Sequence, residues 1–138
     1  MRLLTATDFA LRTLMRLADK PGHSLNTEEM AKDLAISRNH LQKVVQHLAD
    51  AGFVRTSRGA KGGVMLGHPA DQIRVGAVVR WFERDQDVVE CFRADGGHCT
   101  LTPHCRLKGM LAGAREAFLE HLDRFTLADC SGGFPSDG

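Results

Sequence analysis

The chain has 138 residues, 43% of them hydrophobic and 25% charged, with a formal net charge of +1. This length predicts one globular domain, alone or with one appended helix, and leaves enough apolar residues for a core. No apolar run approaches the length needed to cross a bilayer, which excludes a membrane-spanning helix. The balanced total charge does not by itself indicate a nucleic-acid partner.

The charge is divided unequally along the chain. Residues 1–63 carry ten Lys and Arg against six Asp and Glu, a net charge of +4, whereas residues 64–138 have a net charge of −3. A basic front half indicates a local surface that faces an anion. Asp8, Arg12 and Arg16 interrupt the N-terminal apolar run too early for a signal peptide. We therefore expect a cytoplasmic protein with no membrane partner, whose thiols stay reduced and favour metal ligation over disulfides.

Three helices are predicted in the first half. The first spans 5–19, with Thr7 or Asp8 as its cap, and a second starts after Asn26. A third begins at Ser37 and runs to about residue 51, and an apolar stripe follows one of its faces at helical spacing: Leu41, Val44, Val45 and Leu48. The short connection at residues 35–36 between the last two helices is typical of a helix-turn-helix.

In that motif the second helix lies in the major groove of DNA and presents its first residues to base edges. Arg38 suits guanine, and Asn39 or Gln42 suits adenine. His40 contacts DNA or caps the helix. An ordinary core helix with a solvated polar face has the same pattern, so the helix pair alone leaves both interpretations open. The candidate DNA-binding residues here are Ser37, Arg38, Asn39, His40, Gln42 and Lys43.

A glycine-rich hairpin is predicted next. Residues 53–56 form one strand and residues 64–66 its partner, and the segment between them contains Arg58 and Lys61 but no acidic residue. A basic hairpin directly after a recognition helix is typical of a wing that reaches phosphates or the minor groove. Inert hairpins also contain glycine and lysine, but the combination with the helix pair favours DNA binding. The candidate DNA-binding residues here are Arg55, Arg58, Lys61 and Gly62.

The second half contains two more predicted helices, a short one over about 75–84 and a long one over about 106–123. The long helix has an apolar stripe: Leu107, Met110, Leu111, Ala114, Phe118 and Leu122. A small head buries less apolar surface than this stripe offers, which favours pairing with a second copy, although packing on its own head remains an alternative. The predicted fold is mainly α-helical with a small β-hairpin wing.

Four segments follow from this pattern. Residues 1–84 form a winged helix-turn-helix domain and residues 85–105 a cysteine loop. Residues 106–130 contain the dimerisation helix and an end segment, and residues 131–138 form a disordered tail.

The cysteine loop places Cys91, Cys99 and Cys105 within fifteen residues. Gly96 and Gly97 allow the chain to turn back on itself. Three thiolates suit an iron–sulfur cluster or zinc better than magnesium or calcium. Zinc bound by these cysteines and by His98 or His104 remains an alternative, although the spacings are wide for a zinc site.

Other roles for the thiols are less favoured. Cys130 lies beyond the long helix and is interpreted as a bystander thiol. A zinc- or cluster-binding redox or interaction protein is the alternative from a different functional class. Neither a Cys-x-x-Cys pair nor a dinucleotide-binding fingerprint is present, so we do not expect an enzyme.

The matching residues resemble the Rrf2 family of bacterial winged-helix regulators from residue 1 to about residue 129. The segments that carry the resemblance are 7–12, 37–41, 58–63, 105–108 and 122–129. Within the family, the last two segments are most similar to repressors that sense nitric oxide. The long gap between the first two cysteines is instead similar to members that sense iron or cluster status.

The resemblance implies a homodimeric repressor on a double-stranded DNA operator, with affinity controlled by an iron–sulfur cluster. The ligands it implies are Cys91, Cys99 and Cys105, with Asp8 of the partner subunit as a fourth. A cluster with an oxygen ligand favours the 4Fe-4S form over 2Fe-2S, and nitric oxide is the implied effector. Without the resemblance, Asp8 is interpreted as a helix cap.

Overall fold

A computed structural model describes residues 2–59, 62–89, 92–98, 100–101 and 105–132. Its regular elements, in chain order, are α1 Thr5–Ala18, α2 Thr27–Leu34, α3 Arg38–Asp50, β1 Val54–Ser57, β2 Gly63–Leu66, α4 Val75–Phe82 and α5 Arg106–Asp123. Short 3-10 helices span Ala70–Gln72 and Leu127–Cys130. The predicted class, mainly helical with a two-stranded antiparallel hairpin, is confirmed.

The first three helices pack around one apolar core. Each presents a stripe of side chains at three- and four-residue spacing to the other two. Full burial of a leucine contributes about 1.5–3 kcal/mol to folding, so these stripes hold the helices together. The core includes Ala10, Leu14 and Leu17 from α1, Met30 and Leu34 from α2, and Leu41, Val44, Val45 and Leu48 from α3.

The turn between α2 and α3 sets their crossing. Asn26 caps α2, since its side-chain oxygen accepts from the backbone N–H groups of Glu28 and Glu29. Ala35 ends α2 in the left-handed region, with φ 54°. The backbone N–H of Ile36 then donates to the carbonyl of Ala31 at 3.0 Å, and the Ile36 side chain is buried. These contacts fix the turn, and three residues separate the end of α2 at Leu34 from the start of α3 at Arg38.

The wing is a regular hairpin whose pairs run from Val54 opposite Leu66 to Ser57 opposite Gly63. Leu25 pairs with strand β2 as a single-residue bridge, because it exchanges two backbone hydrogen bonds of 2.8 Å with Val64. A Cβ at Gly63 would lie 2.6 Å from the Leu25 carbonyl oxygen, so this close approach needs glycine. The wing is thus tied to the segment before α2 as well as to α3.

The end of the chain returns to the head. Arg74 and Thr126 form an isolated antiparallel bridge, and the Leu127 N–H donates to the Ile73 carbonyl at 3.0 Å. Leu127 is fully buried in the head core. The segment after α5 is consequently anchored on the N-terminal side of α4, which fixes the direction of α5. The four segment boundaries predicted from the sequence stay predictions.

Several predicted details differ. Neither Thr7 nor Asp8 caps α1, because the helix already begins at Thr5 after Leu4 and both residues lie inside its first turns. Strand β1 starts one residue later than predicted and β2 one residue earlier. Helix α4 ends at Phe82. The predicted tail from residue 133 onward lies outside the described residues. Among the helices of the described part, none is both long and apolar enough to cross a membrane.

Candidate DNA-binding surface and metal centre

The recognition helix α3 starts with a local cap. The Ser37 hydroxyl accepts from the His40 backbone N–H at 3.2 Å, and Ser37 itself is extended. The cap exposes the first turn of α3, where Arg38 and Asn39 both lie in solvent. Gln42 and Lys43 are exposed one turn later. Because the apolar stripe of α3 is buried in the head, this polar face points away from the core.

His40 has a contact of its own. Its ring lies 6.1 Å from the ring of Phe9 on α1, measured between centroids. The Arg12 guanidinium lies over the Phe9 ring, with its central carbon 5.8 Å from the ring centroid. His40 is exposed and its backbone N–H serves the cap, while its side chain leans towards α1. Its predicted contact with DNA stays a prediction.

A cleft joins α3 to the wing. It has a volume of about 270 Å³, and its walls come from the start of α2, from α3 and from both strands of the hairpin. Arg38 and Gln42 line it from α3, and Ser57 and Gly62 line it from the wing. The structure therefore brings the candidate base-reading residues and the wing onto one concave surface. Glu28, an acidic residue, also lines this cleft.

The wing residues have different positions. Arg58 is exposed at the start of the hairpin tip. The Arg55 guanidinium donates to the Gly67 carbonyl at 3.1 Å, which ties it to the base of the hairpin. Gly62 N–H donates to the Gly59 carbonyl at 2.9 Å and closes the tip. Lys61, predicted to contact phosphate, lies outside the described residues.

Only part of the predicted ligand set is described. Cys105 is a free thiol, half-buried, at the N-cap of α5, whereas Cys91 and Cys99 lie outside the described residues. Phe92 N–H donates to the Val89 carbonyl, and between the two cysteines Gly96 N–H donates to the Arg93 carbonyl. Gly96 and Gly97 both have positive φ, 78° and 61°. The chain therefore turns at these glycines between the two cysteines, as predicted.

Asp8 lies half-exposed in α1 and is paired with Arg12. The Arg12 guanidinium donates to both carboxylate oxygens, at 3.1 and 2.7 Å. This pair is local, one helical turn apart, so it does not tie Asp8 to another element. Ligation by Asp8 would require one oxygen to leave Arg12 or to be shared with it.

The donor chemistry fits an iron–sulfur cluster. Three cysteines in one turn-rich segment supply soft thiolates, and Cys105 precedes a helix whose first N–H groups favour a negative charge. A free, half-buried Cys105 leaves its sulfur available to a metal. The described residues hold no group of three metal-binding side chains, and two of the predicted cysteines lie outside that part. His98 is exposed, and His104, the other histidine considered for zinc, lies outside the described residues.

Cys130 lies apart from the predicted ligands in the final 3-10 helix. Its thiol is 3.6 Å from the Thr126 carbonyl oxygen. Burial raises the pKa of this thiol, and the nearby Asp129 carboxylate raises it further. A thiol that resists deprotonation is a poor ligand and nucleophile, which agrees with its interpretation as a bystander.

Two polar contacts at the end of α4 were not found from the sequence. Glu83 accepts hydrogen bonds from Leu4 and Thr7, which lie 79 and 76 positions earlier in the chain. The Trp81 indole donates to the His47 carbonyl at 3.1 Å. Both partners lie in distant elements, so periodicity and motif spacing gave no signal for either contact.

A third contact that was not found from the sequence joins α4 to α5. The Arg80 guanidinium lies 2.9 Å from carboxylate oxygens of both Glu116 and Asp123. Hydrogen bonds to these carboxylates, Glu116 first, raise the pKa of Arg80. The same bond lowers the pKa of Glu116 below its ordinary value.

A helix-turn-helix with a capped, exposed recognition helix and a glycine-rich wing defines the winged-helix class of DNA-binding proteins. A family model described as Rrf2, iron-dependent transcriptional regulator, matches residues 3–132. The chain belongs to the Rrf2 family of transcriptional regulators. The resemblance predicted from the sequence is thereby confirmed.

The curated relatives agree with this placement. The chain is 43% identical over 130 residues to the HTH-type transcriptional regulator NsrR of Bacillus licheniformis, covering 94% of this chain and 91% of the relative. It is 44% identical over 130 residues to the NsrR of Geobacillus kaustophilus, covering 94% and 88%. Because the relatives are named as transcriptional regulators, the chain is classed as a regulator and not as an enzyme.

Solved structures show the same architecture. The structure of CymR (YrzC), described as the global cysteine regulator of B. subtilis, has a TM-score of 0.77 and 28% sequence identity, covering 98% of this chain and 99% of that one. The structure of T. potens IscR has a TM-score of 0.71 at 23% identity, covering 94% and 85%. The second likeness shows the fold alone.

Proposed function

We propose that this chain is a homodimeric repressor whose affinity for a double-stranded DNA operator is set by an iron–sulfur cluster that responds to nitric oxide. One observation carries the proposal. Relatives named NsrR align with 94% of the chain, and the chain has the three cysteines that the resemblance assigns to a cluster. Since the target is an operator, the proposed location is the cytoplasm.

The proposed DNA contacts start from the cleft between α3 and the wing. Arg38 and Gln42 line it and reach base edges, while the exposed Asn39 and Lys43 add a base contact and a phosphate contact. Arg58 and Lys61 belong to the wing and approach the backbone or minor groove. Phosphate contacts position the head, and the α3 side chains supply sequence preference.

The proposed ligands are Cys91, Cys99 and Cys105 of one subunit, with Asp8 of the partner subunit as the fourth. When bound, the cluster supplies iron with an affinity for nitric oxide, and the 4Fe-4S form is favoured over 2Fe-2S. The cysteines hold it on the segment before α5. The Asp8 carboxylate, a harder and weaker ligand than a thiolate, would leave one corner easier to displace.

The proposed dimer uses α5. Leu107 and Met110 are 56% and 66% exposed, and Leu111, Phe118 and Leu122 are half-buried. A second copy would cover this stripe. Two heads held by α5 must match half-sites about one helical turn, roughly 34 Å, apart, so a small change at the start of α5 alters operator affinity strongly.

A second candidate signal is iron or cluster status. The family model is described as iron-dependent, which favours it. The same residues would hold the cluster for either signal. Nitric oxide would remove the cluster in the first case, and a shortage of iron would remove it in the second.

A preparation of the full chain purified without oxygen tests the proposal. A duplex with dyad symmetry is first selected from a random-sequence pool with this protein. Visible absorption, iron and sulfide content, and duplex affinity are then measured before and after titration with nitric oxide, and in parallel after iron chelation. We expect a coloured protein, and a loss of affinity of about tenfold or more with nitric oxide.

Two matched cysteine variants serve as controls. Cys99→Ala is expected to lose the cluster and the response, whereas Cys130→Ala keeps both. A colourless, iron-free parent protein, or a Cys99→Ala variant that responds like the parent, contradicts the proposal. A response to chelation but not to nitric oxide selects the iron signal instead.

A further inference from the structure

The carboxylate of Glu83 connects the end of α4 to the start of α1. Its Oε1 atom accepts from the Leu4 backbone N–H at 2.6 Å and from the Thr7 hydroxyl at 2.7 Å. Thr7 is fully buried, while Leu4 is the residue immediately before α1. Hydrogen bonds to a charged acceptor are about twice as strong as neutral ones, so this contact fixes the first turn of α1.

The contact bears on Asp8, the residue after Thr7. Among the described residues, the bonded partner of the Asp8 carboxylate is the local Arg12, so the placement of its helix turn depends on what holds α1. Glu83 supplies that hold from α4. It lies eight positions before Cys91 in sequence. Glu83 is therefore bonded to the residue before Asp8 in space and is close to the first predicted cluster ligand in sequence.

The same turn of α4 also contacts the recognition helix. The Trp81 Nε1–H group donates to the carbonyl of His47, in the last turn of α3, at 3.1 Å. The Phe82 ring lies 6.1 Å from the His47 ring. Three consecutive residues, 81 to 83, thus contact both α1 and α3.

A cleft brings the start of the cysteine segment to this turn. It has a volume of about 570 Å³ and is lined by Leu4 and Glu83, by residues 86–89, and by Phe118 of α5. Displacement of residues 86–89 or of α5 therefore changes the surroundings of the Glu83 carboxylate directly.

We propose that the last turn of α4 transmits the state of the cysteine segment to the DNA-binding head. Glu83 is a positioning residue that holds the start of α1 and thereby the position of Asp8. Trp81, through its hydrogen bond to His47, moves α3 when the last turn of α4 is displaced. This inference rests on the proposed function. It adds the residues through which a change at the cysteine segment reaches the recognition helix.

The Thr7 position offers a matched pair of variants. Thr7→Val removes the hydroxyl donor and keeps the volume, whereas Thr7→Ser keeps the donor. The quantity measured is the ratio of duplex dissociation constants without and with the cluster. We expect Thr7→Val to reduce this ratio about tenfold, the effect of losing one hydrogen bond to a charged group, and Thr7→Ser to retain it. Thr7→Val also speeds hydrogen exchange of the amides in residues 4–12.

The acceptor side has its own control. Glu83→Gln weakens both hydrogen bonds and is expected to act like Thr7→Val. Asp85→Asn makes the same chemical change two residues later, where the side chain is 85% exposed, and is expected to leave the ratio unchanged. Trp81→Phe removes the donor to His47. It is expected to reduce the ratio while the rate of cluster loss to a chelator stays at the parent value, since Asp8 remains held.

The outcomes separate this inference from the proposed function. A parent protein whose affinity does not depend on the cluster overturns the proposed function and this inference with it. A parent that responds, with Thr7→Val or Trp81→Phe giving the parent ratio, overturns the inference alone. Variants that lower the melting temperature but keep the ratio show a purely structural role, which also contradicts it.

Discussion

The DNA-binding head and the long helix α5 use their apolar residues differently. Helices α1 to α3 bury their stripes against one another, and Leu14, Leu41 and Leu48 are each 0% exposed. In α5, a helix described in full, Leu119 is the one buried residue. The head therefore buries its apolar stripes within one chain, whereas the described residues leave Leu107 and Met110 of the α5 stripe uncovered. This contrast distinguishes helices that complete a core from a helix whose stripe is open, and we propose that a second copy covers the open stripe.

The attachment of α5 to the head combines two buried leucines, Leu119 and Leu127, with ion pairs. Arg80 of α4 bridges Glu116 and Asp123 of α5, and the chain after α5 returns to the head through Leu127. Half-exposed ion pairs of this kind contribute little to stability. These ion pairs instead fix the direction of α5 relative to α4, and they do so without burying the apolar stripe of α5.

The largest expected effect contrasts one leucine from each region. Leu14→Ala opens a cavity in the head core and is expected to lower the free energy of unfolding by about 2–5 kcal/mol. Leu107→Ala makes the same change at a side chain 56% exposed and is expected to stay within about 0.5 kcal/mol in the monomeric, cluster-free protein. Urea denaturation at low protein concentration measures both.

At higher protein concentration, sedimentation measures the dimer and extends the comparison between the two leucines. Leu107→Ala is expected to weaken the dimer, while Leu14→Ala acts on the fold and not on the pairing surface. If Leu107→Ala costs as much as Leu14→Ala in the monomer, α5 packs its stripe on its own head and the contrast between the two regions disappears.

The head could be predicted from the sequence because its interactions are local and periodic. The stripe of α3, the start of α2 after Asn26 and the hairpin each follow from residues a few positions apart, and each is present. Ala35 in the left-handed region was not predicted, since a glycine or asparagine is the usual signal there. The Leu25 partner of the wing was also missed, because a single bridging residue has no period.

The site was predicted less completely. The resemblance assigned the ligands, the helix-turn-helix pattern assigned the α3 face, and the turn at Gly96 and Gly97 agrees with a wrapped segment. The contacts of Glu83 with Leu4 and Thr7 span nearly the whole head in sequence, so no local rule finds them. The cap expected at Thr7 or Asp8 was wrong because α1 already begins at Thr5. Thr7 uses its hydroxyl for a partner 76 positions away.

The next effect concerns DNA and compares two glutamines of α3. Gln42 lines the cleft with the wing, whereas the Gln46 amide donates to Asp50 at 2.9 Å, one turn later. Gln42→Ala is expected to lower affinity for the selected duplex by about 10- to 100-fold, the effect of one lost base contact. Gln46→Ala is expected to leave it unchanged. Fluorescence anisotropy at fixed salt measures both, and equal losses would contradict the assigned reading face.

A smaller effect contrasts the first residues of two helices. Ser37 caps α3 through its hydroxyl, whereas the Cys105 side chain makes no cap hydrogen bond to the start of α5. In the cluster-free protein, Ser37→Ala is expected to cost about 1 kcal/mol of unfolding free energy and Cys105→Ala less than about 0.5 kcal/mol. Urea midpoints compare them. A cost for Cys105→Ala equal to that of Ser37→Ala would mean that its thiol supports the fold itself.

The smallest expected effect tests the polar attachment through pH. Because the bond to Arg80 lowers the Glu116 pKa below its ordinary value of 4.5, the folded state disfavours protonation of this carboxylate. Its contribution to stability is therefore present above pH 4.5 and is lost as the pH falls through the lower, folded pKa. Glu116→Gln removes that part of the acid dependence in the cluster-free protein, as urea midpoints across this range would show. Glu120→Gln, on the same helix, is expected to retain it. Identical acid profiles for the parent and Glu116→Gln would mean that the Arg80–Glu116 pair does not contribute to the attachment of α5.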